Sequence, residues 1–160
     1  MEIRRAGIND IDELGKLYYD TVVTVNSKDY SEEQILAWAS TYNNRHGWIR
    51  RMEEQYFFVA LVNRKITGFA SLDNSGYLDL IYVHKDHQRQ GIGSALLAQL
   101  EKTAATLQLT EISVQSSITA KPFFKARGFI ETGKKYKLVN DVPFMNSILV
   151  KKIIPILNSK

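Results

Sequence analysis

The stretch Tyr82-Val83-His84-Lys85-Asp86-His87-Gln88-Arg89-Gln90-Gly91-Ile92-Gly93-Ser94-Ala95-Leu96-Leu97 decides the reading of this chain. An apolar strand ends, a polar loop follows, and two glycines open a segment that reads as helix from Gly91 to Leu107. The first N–H groups of a helix have no internal partner and carry the positive end of the helix dipole, which suits a phosphate or pyrophosphate. Gly91 and Gly93 remove side chains that would hold a ligand away from those amides, and Gln88 and Arg89 can add hydrogen bonds or charge. Two glycines at a helix start also describe an ordinary tight turn. The stretch is no Walker A loop, and Leu96 stands where a dinucleotide fingerprint has its third glycine.

Upstream, Tyr77 to Val83 reads as a strand, preceded by a turn at Asp73-Asn74-Ser75-Gly76. Tyr56 to Val62 and Ile66 to Leu72 form a hairpin about Asn63-Arg64, with Phe57, Val59 and Leu61 as core. Glu2 to Arg5 is a first short strand. Asn9 or Asp10 can cap a helix carrying Ile11, Leu14, Leu17 and Tyr18 at helical spacing. Ser31 and Gln34 make a capping box for a helix that buries Ile35, Leu36, Trp38 and Ala39, and a further turn falls around Trp48 to Met52. Downstream lie a strand from Glu111 to Gln115 and a short helix from Ala120 to Ala126, stopped by Gly128. Strands Phe129 to Lys137 and Phe144 to Lys152 close the chain. Hairpins plus one or two helical crossovers predict an α/β (α+β) fold, a mixed, mostly antiparallel sheet with helices on both faces.

The 160 residues suit one domain over 1–160, and 44% apolar with 24% charged residues is ordinary for a globular protein. The absence of cysteine excludes a disulfide framework, a thiolate zinc site and a cysteine nucleophile. No apolar run approaches the roughly 20 residues of a spanning helix, and no signal peptide follows Met1-Glu2-Ile3-Arg4-Arg5, so the expected place is the cytoplasm, away from membranes. The net charge of +4 fits a solvated lysine-rich C-terminal part (Lys134, Lys135, Lys137, Lys151, Lys152, Lys160), a nucleic-acid surface, or attraction of a polyanionic cofactor. The basic residues are scattered, so no nucleic-acid partner is expected.

The stretch around the glycines resembles motif A of the GNAT N-acetyltransferase superfamily, Gln/Arg-x-x-Gly-x-Gly/Ala, through Gln88, Gly91 and Gly93, with Leu80-Ile81-Tyr82-Val83-His84 as its lead-in strand. A second stretch, Ala120-Lys121-Pro122-Phe123-Phe124-Lys125-Ala126-Arg127-Gly128-Phe129, is similar to the family's Ala-x-x-Phe-Tyr-x-x-x-Gly-Phe. With Thr119 before it, it further resembles a bacterial YafP-like subgroup.

The resemblance implies a GNAT-like acyltransferase fold, acetyl-CoA as co-substrate and no metal. The amides of Gln88, Arg89, Gln90, Gly91, Ile92, Gly93 and Ser94 would hold the pyrophosphate. The strand ending at Val83 would splay from the strand beginning near Glu111, and the pantetheine arm would pair in that gap with backbone around Ile81, Tyr82 and Val83. Ser117 stands where the family usually has an asparagine, and its hydroxyl can still bond the pantetheine. Phe124 stands beside the cofactor at a position that is commonly a tyrosine serving as general acid, and it has no proton to give. Tyr136 and Tyr82 are tyrosines that could substitute.

The implied reaction is direct attack of a primary amine on the acetyl thioester in a ternary complex, the acceptor being a small molecule or a protein amine. Asp79 is the candidate base: it interrupts an apolar strand, where alternation puts it on the face of Ile81 and Val83, and an idle carboxylate there is costly. An Asp bonded to a neighbouring loop, or one at a solvated strand end, is the structural alternative. Tyr30 and Trp38 are candidate walls of the acceptor pocket, or a hydrophobic staple and a core anchor. His84 and His87 lack further partners at metal-ligand spacing, His46 reads as surface, and Ser116 and Ser117 have no nucleophile elbow around them. Homodimers are common in the family. The missing tyrosine at Phe124 also admits an acyl-CoA binding or sensing module without turnover.

Overall fold

In the computed structural model, which describes residues 1–157, alternating apolar and β-branched runs form seven strands. These are β1 (Glu2–Arg5), β2 (Tyr56–Val62), β3 (Lys65–Leu72), β4 (Tyr77–Val83), β5 (Glu111–Ser116), β6 (Ile130–Val139) and β7 (Val142–Lys152). They lie in one open sheet in the order β1-β2-β3-β4-β5-β7-β6. Every neighbouring pair is antiparallel except β4 and β5. The helices are α1 (Ile11–Thr24), α2 (Glu32–Ala39), α3 (Arg45–Glu54), α4 (Ile92–Thr106) and α5 (Lys121–Lys125).

Two cores flank the sheet. Ile92, Leu96, Leu97, Leu100 and Ala104 of α4 pack with Phe58, Ala60, Ala70 and Leu78 on one face. Leu14, Leu17 and Val22 of α1, Ile35 and Ala39 of α2 and Trp48 of α3 pack with Phe57, Val59, Leu61 and Phe69 on the other. The expected stripe on β2 is therefore core, and so is its opposite face, because helices cover both sides of the central strands.

Several local readings are corrected. The turn around Trp48 is a full helix, capped by Asn44, whose side chain accepts from the Gly47 N–H at 3.1 Å. Leu36 is 66% exposed, since α2 turns only a narrow stripe inward and Ala37 takes the buried place. Asp10 makes no side-chain bond to α1; it accepts from the Gly7 N–H at 2.7 Å and pairs with Arg4. The last hairpin is longer than expected, turning at Asn140-Asp141, both with positive φ. The Ser31–Gln34 capping box forms in both directions, at 3.1 and 3.0 Å.

The feature that positions the site is the junction of β4 and β5. Two parallel pairs register, Tyr77 with Ser113 and Leu78 with Val114. Beyond them the strands part, although β4 continues to Val83 and β5 to Ser116. Lys160, counted among the tail lysines, lies outside the described residues. Among the described residues no helix is long and apolar enough to cross a membrane.

Candidate active site

The parted strands form one side of a cleft of about 470 Å³ whose other walls come from α1, α2, α3, α5 and the β6–β7 hairpin. Asp79, Ile81, Tyr82, Val83, Gln88, Gly93, Ser117, Phe124, Tyr30 and Trp38 all line it, so one cleft gathers most of the residues singled out from the sequence.

At the cleft's mouth, the loop into α4 presents its backbone. Among the described residues the amides from Gln88 to Ser94 have no acceptor; the first helical bond runs from the Ala95 N–H to the Gly91 carbonyl. Arg89 and Gly91 have φ of +59° and +82°, and left-handed residues interleaved with right-handed ones curl successive N–H groups into an anion-binding nest. Nothing lies within 4 Å of where a Gly91 Cβ would be, so that glycine answers to its backbone conformation. Gly93 answers to packing: an added Cβ would meet the Phe123 ring at 3.1 Å. Gln88 folds back, its amide donating to the Val83 carbonyl at 2.6 Å. Arg89 and Gln90 are exposed, whereas Ile92 is 2% exposed and serves the core through its side chain. The Ser94 hydroxyl accepts from Arg127 at 3.1 and 2.6 Å, with the Arg127 guanidinium stacked 3.9 Å from the Phe123 ring. A pyrophosphate fits this loop through backbone N–H groups, with Arg127 as nearby positive charge that no motif had singled out.

Asp79 turns the opposite way from the expectation. Ser71 pairs with Leu80 and Leu72 with Leu78, so Asp79 is the extra residue of a β-bulge. The bulge shifts alternation by one: Leu78, Ile81 and Val83 face α4, while Leu80 and Tyr82 join the core under α1. The carboxylate points to α3, where Oδ2 accepts from Arg51 Nε at 2.8 Å and from Gln55 Nε2 at 3.0 Å. Oδ1 has no partner among the described residues. Nearby, burial and the Asp79 charge push the Tyr77 hydroxyl up to about 12.

The tyrosines sort themselves by position. Tyr136 is 64% exposed on the edge strand β6 and lies outside the cleft lining. Its long hairpin carries it past the sheet into solvent, so it is not assembled with Asp79. Tyr82 lies in the cleft, but its hydroxyl accepts from Trp38 Nε1 at 3.2 Å, and burial raises its pKa well above the ordinary value. Phe124 is 1% exposed and belongs to the core beside Phe129. Tyr30 is the hydroxyl at the end of β5: it accepts from the Ile118 N–H at 2.7 Å and lies beside Ser117, whose own hydroxyl accepts from the Ala120 N–H at 3.1 Å. Its ring is clamped edge-on by Trp38 at 5.2 Å and against Phe144 at 5.8 Å. Burial raises its pKa.

Sequence reading missed Arg51, Gln55 and Asn26. Asn26 is 6% exposed in a turn after α1, lines the cleft, and its buried Oδ1 has no hydrogen-bond partner among the described residues. Such an orphan acceptor is costly unless a ligand meets it. None of the three sits in a motif; an Asn at the end of an otherwise apolar helix face was the available signal for Asn26. The rings of His84 and His87 meet edge-on at 5.3 Å, His46 is exposed, and no metal-binding group of three occurs among the described residues.

A family model described as an acetyltransferase (GNAT) domain matches residues 26–146. The chain is 34% identical over 129 residues to the N-acetyltransferase YafP of Escherichia coli, a match covering 81% of both chains. A GCN5-related N-acetyltransferase structure from Rhodopseudomonas palustris superposes with a TM-score of 0.92 and 27% identity over 95% of each chain. The PaiA N-acetyltransferase of Thermoplasma acidophilum, solved in complex with coenzyme A, shares the fold with a TM-score of 0.79 at 21% identity, over 94% of this chain and 98% of that one. With a family model over most of its length and a curated relative of this identity, the chain belongs to the GNAT acetyltransferase family and is an N-acetyltransferase.

Proposed function

We propose that this protein transfers the acetyl group of acetyl-CoA directly to a primary amine while both are bound in the cleft. The observation that carries the reading is the run of unpartnered amides from Gln88 to Ser94 at the mouth of the gap between β4 and β5. Those amides receive the pyrophosphate, and the unpaired edge of β4 from Asp79 to Val83 receives the pantetheine arm much as a sheet edge receives a peptide. Asn26 Oδ1 accepts from an amide N–H of that arm, which supplies the partner it lacks.

Asp79 takes the proton of the incoming ammonium through Oδ1, directly or through water, while Arg51 and Gln55 hold Oδ2. The amine nitrogen then bonds to the acetyl carbon, the C–S bond breaks, and its electron pair leaves on sulfur. The ammonium group loses two protons in all; one ends on the thiolate and one reaches solvent. Tyr30 donates the proton to sulfur in place of the tyrosine that Phe124 replaces. Its hydroxyl oxygen is already engaged by the Ile118 N–H, so its hydrogen is free to point into the cleft.

The test is calorimetric titration with acetyl-CoA, coenzyme A and 3′-dephospho-coenzyme A, followed by thiol release with an amine panel. Micromolar binding with amine-dependent release of coenzyme A supports the reading. Binding without turnover on any amine makes the protein a sensor of acyl-CoA, and no binding at millimolar ligand removes the reading.

A further inference from the structure

The inner end of the cleft holds a cation whose capacity is only partly used. Arg51 reaches Asp79 through Nε alone; its two terminal nitrogens make no hydrogen bond among the described residues. Its side chain is 32% exposed and lines the cleft, braced over the Trp48 ring at 5.9 Å. A guanidinium has five N–H donors in a fixed fork, so a second oxyanion can be held while Nε stays on Asp79.

The charges of the cleft point the same way. Its lining contains Arg51, Lys137 and Asp79, and the one carboxylate is already matched by Arg51. Lys137 forms no salt bridge among the described residues. A polycationic acceptor finds no unmatched anion here and meets surplus positive charge. Aromatic walls of Tyr18, Trp38 and Tyr82 close the inner end, and the pantetheine arm shares the same 470 Å³, which leaves room for a small acceptor.

We infer that the acceptor is a small aminocarboxylate, an amino acid whose carboxylate is held by the terminal nitrogens of Arg51 while its amine faces Asp79 Oδ1. The two charged groups of an α- or β-amino acid are one or two carbons apart, and an Arg–Asp pair in direct contact offers complementary groups at that spacing. The inference rests on the acetyl transfer proposed above and names its acceptor. Arg51 is thereby a specificity residue as well as the partner that orients the base.

The experiment measures thiol release from acetyl-CoA with common α-amino acids and β-alanine, each beside its methyl ester and its decarboxylated amine, and with spermidine. The wild-type protein is compared with Arg51→Gln and Arg51→Lys, and acetyl-CoA affinity is titrated for all three. At least one amino acid is expected to exceed its decarboxylated amine in kcat/KM by about 10- to 100-fold, the usual worth of a charge-assisted hydrogen bond. In Arg51→Gln that ratio falls towards one, with acetyl-CoA affinity within about twofold of wild type. A purely structural Arg51 would lower both rates and leave the ratio intact, and that result overturns the inference. So do better turnover of spermidine or of the decarboxylated amines, and absence of turnover across the whole panel by a protein that binds acetyl-CoA. Absence of acetyl-CoA binding overturns the underlying reaction as well, which separates the two failures.

Discussion

Trp38 Nε1 donates to the hydroxyl of Tyr82 at 3.2 Å, a bond that ties α2 to β4 across the cleft. The same Tyr82 ring stacks on Phe69 at 5.3 Å and meets Tyr18 at 4.9 Å, so this wall of the cleft continues the core beneath α1. Trp38→Phe leaves the Tyr82 hydroxyl without its donor and shortens the wall. The expected outcome is a loss of about 1–3 kcal/mol in urea unfolding, with a raised KM for the amine and little change in acetyl-CoA affinity.

Asp79→Asn keeps the shape at the bulge and removes the proposed base. A fall in kcat of about 10²–10⁴-fold at saturating amine is expected, with acetyl-CoA binding nearly intact. If kcat holds, the Arg51–Asp79 pair serves only to pin α3 to the sheet.

Tyr30→Phe removes the proposed proton donor while keeping the ring between Trp38 and Phe144. Turnover should fall about tenfold or more. Because burial raises the Tyr30 pKa above that of an ordinary tyrosine, the hydroxyl stays protonated through neutral pH, so wild-type kcat should show no alkaline loss from this group around neutrality. Phe124→Tyr is the companion variant. Its hydroxyl enters a site 1% exposed, so the expected result is a loss of about 1–3 kcal/mol in stability and no gain in rate. A faster Phe124→Tyr enzyme would place the acid on α5.

Gly91→Ala meets no neighbour, yet its φ of +82° disfavours any Cβ. A stability cost of about 1 kcal/mol and weaker coenzyme A binding are expected, read by thermal unfolding and calorimetry. Unchanged affinity would mean that the amides from Gln88 to Ser94 hold no phosphate.

Asp10 contributes acid-sensitive stability at the other end of the chain. Hydrogen bonds from Arg4, at 2.9 and 3.0 Å, and from the Gly7 N–H hold its carboxyl below the usual aspartate range. A folded pKa below the unfolded value gives stability that is fully present above about pH 4 and is lost as pH falls through the folded value. Asp10→Asn should therefore be less stable at pH 7 by about 1 kcal/mol, with the gap closing in urea titrations as pH falls through the folded Asp10 value.

Strand and helix order was readable because each element carries its own periodicity: Phe57, Val59 and Leu61 alternate, and Leu96, Leu97, Leu100 and Ala104 recur on one helix face. The turn from β4 into α4 was readable because its requirement, a left-handed Gly91 ahead of an apolar helix, is local. What escaped belongs to pairs of segments. The direction of Asp79 depends on a bulge against Ser71 and Leu72, and a bulge is a property of two strands. The helix around Trp48 has few apolar residues and depends on Asn44 and on the sheet beneath it. Arg51, Gln55 and Asn26 belong to no motif, and their importance comes from where the fold brings them. Tyr136 was attractive as a hydroxyl near the chain's end; only the reach of the β6–β7 hairpin shows that it stands in solvent.

The sparse contact between β4 and β5 has a thermodynamic side. Two residue pairs join the β1–β4 half of the sheet to the β5–β7–β6 half. On the proposed reading, a donor bound in the gap would bridge the two halves, so its binding energy would add to the cohesion between them. At a hundredfold excess over Kd, such a ligand adds about 2.7 kcal/mol to the folded state. Melting temperature then tracks donor concentration, and a starved cell would hold this enzyme in its least durable form.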